Sequence, residues 1–187
     1  MYIIFEGANK VGKSTQIPLI KEKLLELFNK YGKYICINSF HEGDNVTEYE
    51  TKTEAILKYA LDRLSTQSKI YGTDSRNITL ADRSIYSSLV YNSTDKQDEL
   101  YIRTVNKFAK EPDYIIYLTN HQNEELDKRY REVLPIGKTI IFCTDDFTIE
   151  RTTEALTEDI FVEWVMRYQK KSLDEAYDIV NNLTNGE

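Results

Sequence analysis

Short apolar runs alternate along the chain with segments whose apolar positions recur every three to four residues. Tyr2–Phe5, Tyr34–Asn38, Ile78–Ala81, Tyr114–Leu118 and Thr139–Cys143 are the runs, and most lack the polar alternation of a strand with one wet face. Such runs suit parallel strands covered on both sides. Between them, segment 14–31 sets Leu19, Ile20, Lys23, Leu24, Leu27 and Phe28 on one helix face, with Gly32 as a stop and Pro18 as an irregularity in the opening turns. Ala55, Ile56, Tyr59, Ala60 and Leu64 make a second face. The span from Thr157 to Leu183 is helical in pattern, offering Ile160, Trp164, Met166, Leu173, Ala176, Ile179 and Val180 for packing. Five βα units predict an α/β fold in three layers, a five-stranded parallel sheet flanked by helices, with ligands at the carboxyl ends of the strands.

The join between the first strand and the first helix reads Phe5-Glu6-Gly7-Ala8-Asn9-Lys10-Val11-Gly12-Lys13-Ser14-Thr15, a full fit to G-x-x-x-x-G-K-[ST]. With a strand before it and a helix after it, this is a phosphate-binding loop, and the predicted architecture becomes the P-loop NTPase fold. Gly7 and Gly12 let the backbone fold tightly and aim successive N–H groups at one anion, reinforced by the helix N-terminus. Lys13 is expected at the β- and γ-phosphates of a nucleoside triphosphate and the Ser14 hydroxyl on Mg²⁺.

Composition adds boundaries. The 187 residues make one domain by length, 1–187. A formal charge of −7, from 31 acidic and 24 basic residues without a long block of either sign, argues against a nucleic-acid partner. The chain opens on a strand rather than on a basic and then apolar leader, and no stretch approaches a membrane span, so a cytoplasmic protein without a membrane partner is expected. Cys36 and Cys143 lie in apolar runs without C-x-x-C spacing and are expected to be reduced core residues. With only 2 histidines, a transition-metal centre is not expected.

A second constellation follows the third strand: Ala81-Asp82-Arg83-Ser84, then Ile85-Tyr86-Ser87-Ser88-Leu89-Val90-Tyr91. A carboxylate closing an apolar strand beside a phosphate loop is placed to orient Mg²⁺, and Arg83 to clamp phosphoryl oxygens. An ion pair at a strand end is the plainer alternative.

Together these residues resemble the thymidylate kinase family of P-loop nucleoside and nucleotide kinases. Lys13-Ser14-Thr15-Gln16 is similar to that family's Gly-Lys-Ser-Thr-Gln opening, and Tyr59-Ala60-Leu61-Asp62-Arg63 resembles its aromatic-x-x-Asp-Arg helix motif. The resemblance spans roughly residues 2–118. It implies one kinase domain, ATP as phosphoryl donor with Mg²⁺, dTMP as acceptor and dTDP as product, and a homodimer. By resemblance Tyr59 stacks on the base and Arg63 bonds its edge, Tyr91 lies near the sugar, Ser88 stands beside the base, and Phe40, His41 and Glu42 border the acceptor phosphate. Packing roles for Tyr59, Arg63, Tyr91 and Ser88 remain the alternative.

Departures bear on mechanism. Asn9 stands where the family usually has Asp, and Phe40-His41-Glu42-Gly43 replaces its Arg-Glu-Pro or Phe-Pro-Arg pattern, leaving His41 in place of an arginine. The candidate lid, Asp127-Lys128-Arg129-Tyr130-Arg131-Glu132, is short, with Arg129 as its candidate ATP contact. Lys10 then reads as the transition-state cation in the loop itself, against the alternative of an exposed lysine at a loop tip. Two rival readings stand: a deoxynucleoside kinase with Glu42 as base, and a nucleotide-binding module without turnover.

Overall fold

Strand β1 (Tyr2–Glu6) is buried along its whole length and occupies the middle of a parallel sheet ordered β2-β3-β1-β4-β5. Its partners are β2 (Cys36–His41), β3 (Asn77–Asp82), β4 (Tyr114–Thr119) and β5 (Thr139–Cys143). This is a computed structural model, and it describes residues 1–43, 46, 48–70, 76–120 and 122–185. Helices α1 (Lys13–Lys30), α2 (Lys52–Thr66), α3 (Ile85–Asn92), α4 (Lys96–Val105), α5 (Glu124–Val133), α6 (Ile149–Gln169) and α7 (Leu173–Asn185) complete it.

The period-2 geometry of a strand divides the central residues between two cores. Ile3, Phe5, Ile78, Leu80, Ile116 and Leu118 pack on one side with Ile20, Leu24 and Phe28 of α1, Phe161 and Trp164 of α6 and Val180 of α7. Tyr2, Ile4, Ala81, Ile115 and Tyr117 pack on the other with Val90 of α3 and Tyr130 of α5. The ring of Phe28 stands 4.9 Å from those of both Phe161 and Trp164, so α6 is bolted to α1 by aromatic contacts. Each such buried ring contributes roughly 1.5–3 kcal/mol.

Gly32 ends α1 as expected: its φ is +72°, and Lys33 N donates to the Phe28 carbonyl at 2.8 Å, the 6→1 bond of a Schellman turn. Pro18 sits within α1 and withholds a donor from the Ser14 carbonyl, yet the helix runs unbroken to Lys30. The expected second strand is shifted. It begins at Cys36, and Tyr34 is 93% exposed. The cysteine expectation is corrected as well, because β2 and β5 are the sheet's outer strands: Cys36 is exposed and Cys143 half-buried, and neither is in a disulfide.

What matters for chemistry is the register. Phe5 and His41 both pair with Asp82, so the ends of β1, β2 and β3 arrive side by side. The loop after β1 therefore faces the residues that close β2 and β3.

Candidate active site

Gly7 has φ +140°, and a Cβ there would come 2.2 Å from the Leu118 carbonyl oxygen, so only glycine lets the loop cross the end of β4. Gly12, at φ +95°, caps α1; its carbonyl accepts from Thr15 N at 3.0 Å and Gln16 N at 2.9 Å. Lys10 takes φ +67° between them with an exposed side chain. The result is a concave loop bordering a cavity of about 280 Å³ lined by Asn9, Lys10, Gly12, Lys13, Ser14, Thr15, His41, Asp82 and Arg83. Val11 is buried beneath it, and the Gly7 and Ala8 carbonyls accept from Lys13 Nζ at 2.9 and 2.7 Å. Burial, then the charge of Arg83, brings the Lys13 ammonium down to about 8.

Ser14 Oγ donates to Asp82 Oδ2 at 3.1 Å, while Asp82 Oδ1 is buried without a partner. A buried carboxylate oxygen left open beside a hydroxyl and a phosphate loop is a donor set that fits Mg²⁺.

A second cavity, of about 380 Å³, adjoins the first. Its walls are Asn9, His41, Glu42, Gly43, Tyr49, Tyr59, Arg83, Ser87, Ser88, Tyr91 and Asn92. Asn9, His41 and Arg83 thus border both spaces. Arg83 has φ +76°, a left-handed backbone that costs a side-chain-bearing residue roughly 1–2 kcal/mol. Its guanidinium donates to Asn9 Oδ1 and to Ser87 Oγ, and lies 5.3 Å above the Tyr91 ring. Gly43, at φ +96°, stands where a Cβ would meet Tyr59 Cε1 at 2.8 Å, so this glycine seats the Tyr59 ring.

Three residues expected at the site lie elsewhere. Arg63 is buried behind the second cavity: Nε donates to Glu42 Oε2 at 2.9 Å, Nη2 is shared among Glu42 Oε1, Ser88 Oγ and the Ser84 carbonyl, and Nη1 donates to Asn106 Oδ1. Phe40 and Arg63 line a separate rear cavity together. Arg129 belongs to a helix packed into the fold, with Tyr130 fully buried, and donates to the Ser93 carbonyl at 2.6 Å rather than bordering the phosphate cavity. Gln16 turns out to tie α1 to α6, donating to the Ile149 carbonyl at 3.1 Å and accepting from Thr153 at 2.7 Å.

Sequence reasoning passed over Tyr49, Ser87, Asn92 and Glu6. Ser87 carried a signal, since it stands one turn after Arg83 at the opening of α3, whereas Tyr49 and Asn92 carried none.

A parallel 2-3-1-4-5 sheet with a phosphate loop after its central strand and a second pocket beside it defines a P-loop nucleotide-binding protein. The thymidylate kinase family model matches residues 5–153. The chain is 34% identical to the "Probable thymidylate kinase" of Methanocaldococcus jannaschii over 196 positions, covering 99% of this chain and 96% of that one. It is 35% identical to the "Probable thymidylate kinase" of Methanococcus maripaludis over 133 positions, a match spanning 68% of this chain and 64% of its relative's length. In fold it is similar to the thymidylate kinase of Candida albicans, with a TM-score of 0.65 at 19% identity over 85% of this chain and 90% of that one. The chain belongs to the thymidylate kinase family.

Proposed function

We propose that the protein transfers the γ-phosphoryl group of ATP to dTMP, giving dTDP and ADP. The observation that carries this reading is the sharing of Asn9, His41 and Arg83 by the phosphate cavity and the cavity beside it. Two phosphorylated ligands placed there meet at those residues. Phosphoryl transfer relies on positioning and charge neutralisation, and the chain supplies cations for both ligands.

In this reading Gly7, Ala8, Val11, Gly12 and Thr15 wrap the triphosphate with backbone N–H groups, and Lys13 leaves its loop carbonyls for the phosphates. Lys10 and Arg83 face the group in transit. Tyr59 offers a ring face to the base, with Ser88, Tyr91 and Glu42 completing the wall and His41 at the acceptor phosphate. Ser14 and Asp82 would hold Mg²⁺, which supplies charge neutralisation at the phosphates when bound. Arg63 acts from behind, by fixing Glu42 and Ser88.

The nucleoside kinase reading is not favoured. It asks Glu42 to take a proton, but both of its oxygens already accept from Arg63. The family match likewise leaves a module without turnover disfavoured.

For quaternary structure we propose a homodimer. Leu57, Leu61 and Leu64 recur at i, i+4 and i+7 on α2 and are all exposed, which is the stripe a second copy would cover. Analytical ultracentrifugation tests this: a dimer converted to monomer by Leu61→Glu is the expected result. No helix among the described residues is long and apolar enough to cross a membrane; the cytoplasm is the proposed compartment.

The test of the activity is ADP release measured against every deoxynucleoside and deoxynucleoside monophosphate. Turnover with dTMP and none with thymidine is expected; the opposite pattern overturns the reading.

A further inference from the structure

Beneath Arg83, side chains far apart in sequence meet in a buried polar chain. Ser84 Oγ donates to Glu6 Oε1 at 2.6 Å, and Ser87 Oγ donates to Glu6 Oε2 at 2.7 Å. Arg83 Nη1 in turn donates to Ser87 Oγ at 3.0 Å. The Tyr130 hydroxyl, 3.1 Å from Ser87 Oγ, donates to the Gly7 carbonyl at 3.2 Å. Glu6 is fully buried at the last position of β1, immediately before the phosphate loop.

A serine hydroxyl has one hydrogen and two lone pairs, and it rotates to suit its neighbours. Spending that hydrogen on the Glu6 carboxylate turns the lone pairs of Ser87 outward, where one receives the guanidinium. The other side of the same guanidinium is held by Asn9 of the loop. Arg83 is therefore gripped from below by β1 and α3 and from the side by the phosphate loop, while its N–H donates to the Phe5 carbonyl at 2.9 Å.

We propose that Glu6 and Ser87 are positioning residues that hold the Arg83 guanidinium at the boundary of the two cavities before either substrate arrives. Such presetting removes reorganisation from the transfer step, so its loss is felt in turnover rather than in donor binding. The proposal rests on the reading of Arg83 as a cation of the transfer site.

A double-mutant cycle on the full-length protein tests it, with steady-state kinetics and thermal denaturation of each variant. Ser87→Ala alone is expected to lower kcat about tenfold and leave KM for ATP within about twofold. In an Arg83→Ala background the same change is expected to cost less than about twofold. Millimolar guanidinium ion is expected to restore part of the rate to Arg83→Ala but not to the double variant. Equal losses from Ser87→Ala in both backgrounds overturn the proposal alone, as does a rise in KM for dTMP at unchanged kcat, which would make Ser87 a direct substrate contact. Full activity in Arg83→Ala overturns the reading of Arg83 and the proposal with it.

Discussion

Arg63 and Glu42 form a bidentate ion pair buried behind the cavity that Tyr59 and Tyr91 line, Nε to Oε2 at 2.9 Å and a second nitrogen to Oε1. Both side chains are more than nine-tenths buried. Burial holds the Glu42 carboxyl above its ordinary value, although the charge of Arg63 and its hydrogen bonds pull the other way. The pair fixes one wall: Glu42 and Ser88 face the cavity, and Arg63 stands behind them.

Removing one member strands the other's charge in a low-dielectric interior. Arg63→Ala is expected to destabilise the protein by about 3–5 kcal/mol, the cost typical of an unpaired buried ion. Urea denaturation checks it. A loss under about 1 kcal/mol would mean that water reaches Glu42.

Gly43 governs the adjoining ring. At φ +96° and with a Cβ 2.8 Å from Tyr59 Cε1, alanine there strains the backbone and displaces the ring together. Gly43→Ala is expected to raise KM for dTMP about tenfold, equivalent to roughly 1.4 kcal/mol of lost binding, while KM for ATP holds. Initial rates with each substrate varied in turn decide it.

How much of this was legible in the sequence follows from the range of each interaction. Strand β1, the loop from Gly7 to Thr15 and the start of α1 are specified by neighbouring residues, and they stand where the pattern set them. Strand β2 slipped because an outer strand has one partner, and its exposed positions break the apolar run that marked the central strands. Arg63 at four residues from Tyr59 matched a motif, but its partner Glu42 is 21 residues away, and no local spacing encodes their pairing. Glu6 is further still from view: it looks like a charged strand end, and the hydroxyls that satisfy it lie 78 and 81 residues on. The short segment expected as a lid is a packed helix because Tyr130, in the middle of its charges, inserts into the core beside Tyr117 with ring centres 5.1 Å apart.

Lys10 combines an unusual backbone with a side chain in the phosphate cavity, and two substitutions separate these. Lys10→Ala and Lys10→Gly are each expected to lower kcat on the order of 10³, the scale of a transition-state cation lost from phosphoryl transfer. Only glycine also relaxes the left-handed φ, so the glycine variant is expected to be more stable than the alanine one by about 1 kcal/mol. Rapid-quench rates and paired melting curves measure the two effects independently. Equal stabilities would mean that the loop rearranges once the lysine is gone.

Glu6 makes the stability of the fold depend on pH. Burial raises its carboxyl to about 7, a shift that the hydrogen bonds from Ser84 and Ser87 and the charge of Arg83 oppose and the charge of Glu42 adds to. In the unfolded chain the same group titrates near 4.3. Between those values the folded state binds more protons than the unfolded one, so this residue's contribution to stability is fully present below about pH 4 and is lost as pH rises through 7. Glutamine does not titrate, and its amide can accept from one serine and donate to the other. The stability of Glu6→Gln relative to the parent is therefore expected to climb between pH 5 and pH 8, by an amount on the order of 3 kcal/mol at most. Chemical denaturation of both proteins at half-unit steps reads this directly, and a difference that stays flat across the range would mean that Glu6 is ionised throughout, with the Arg83 charge outweighing its burial.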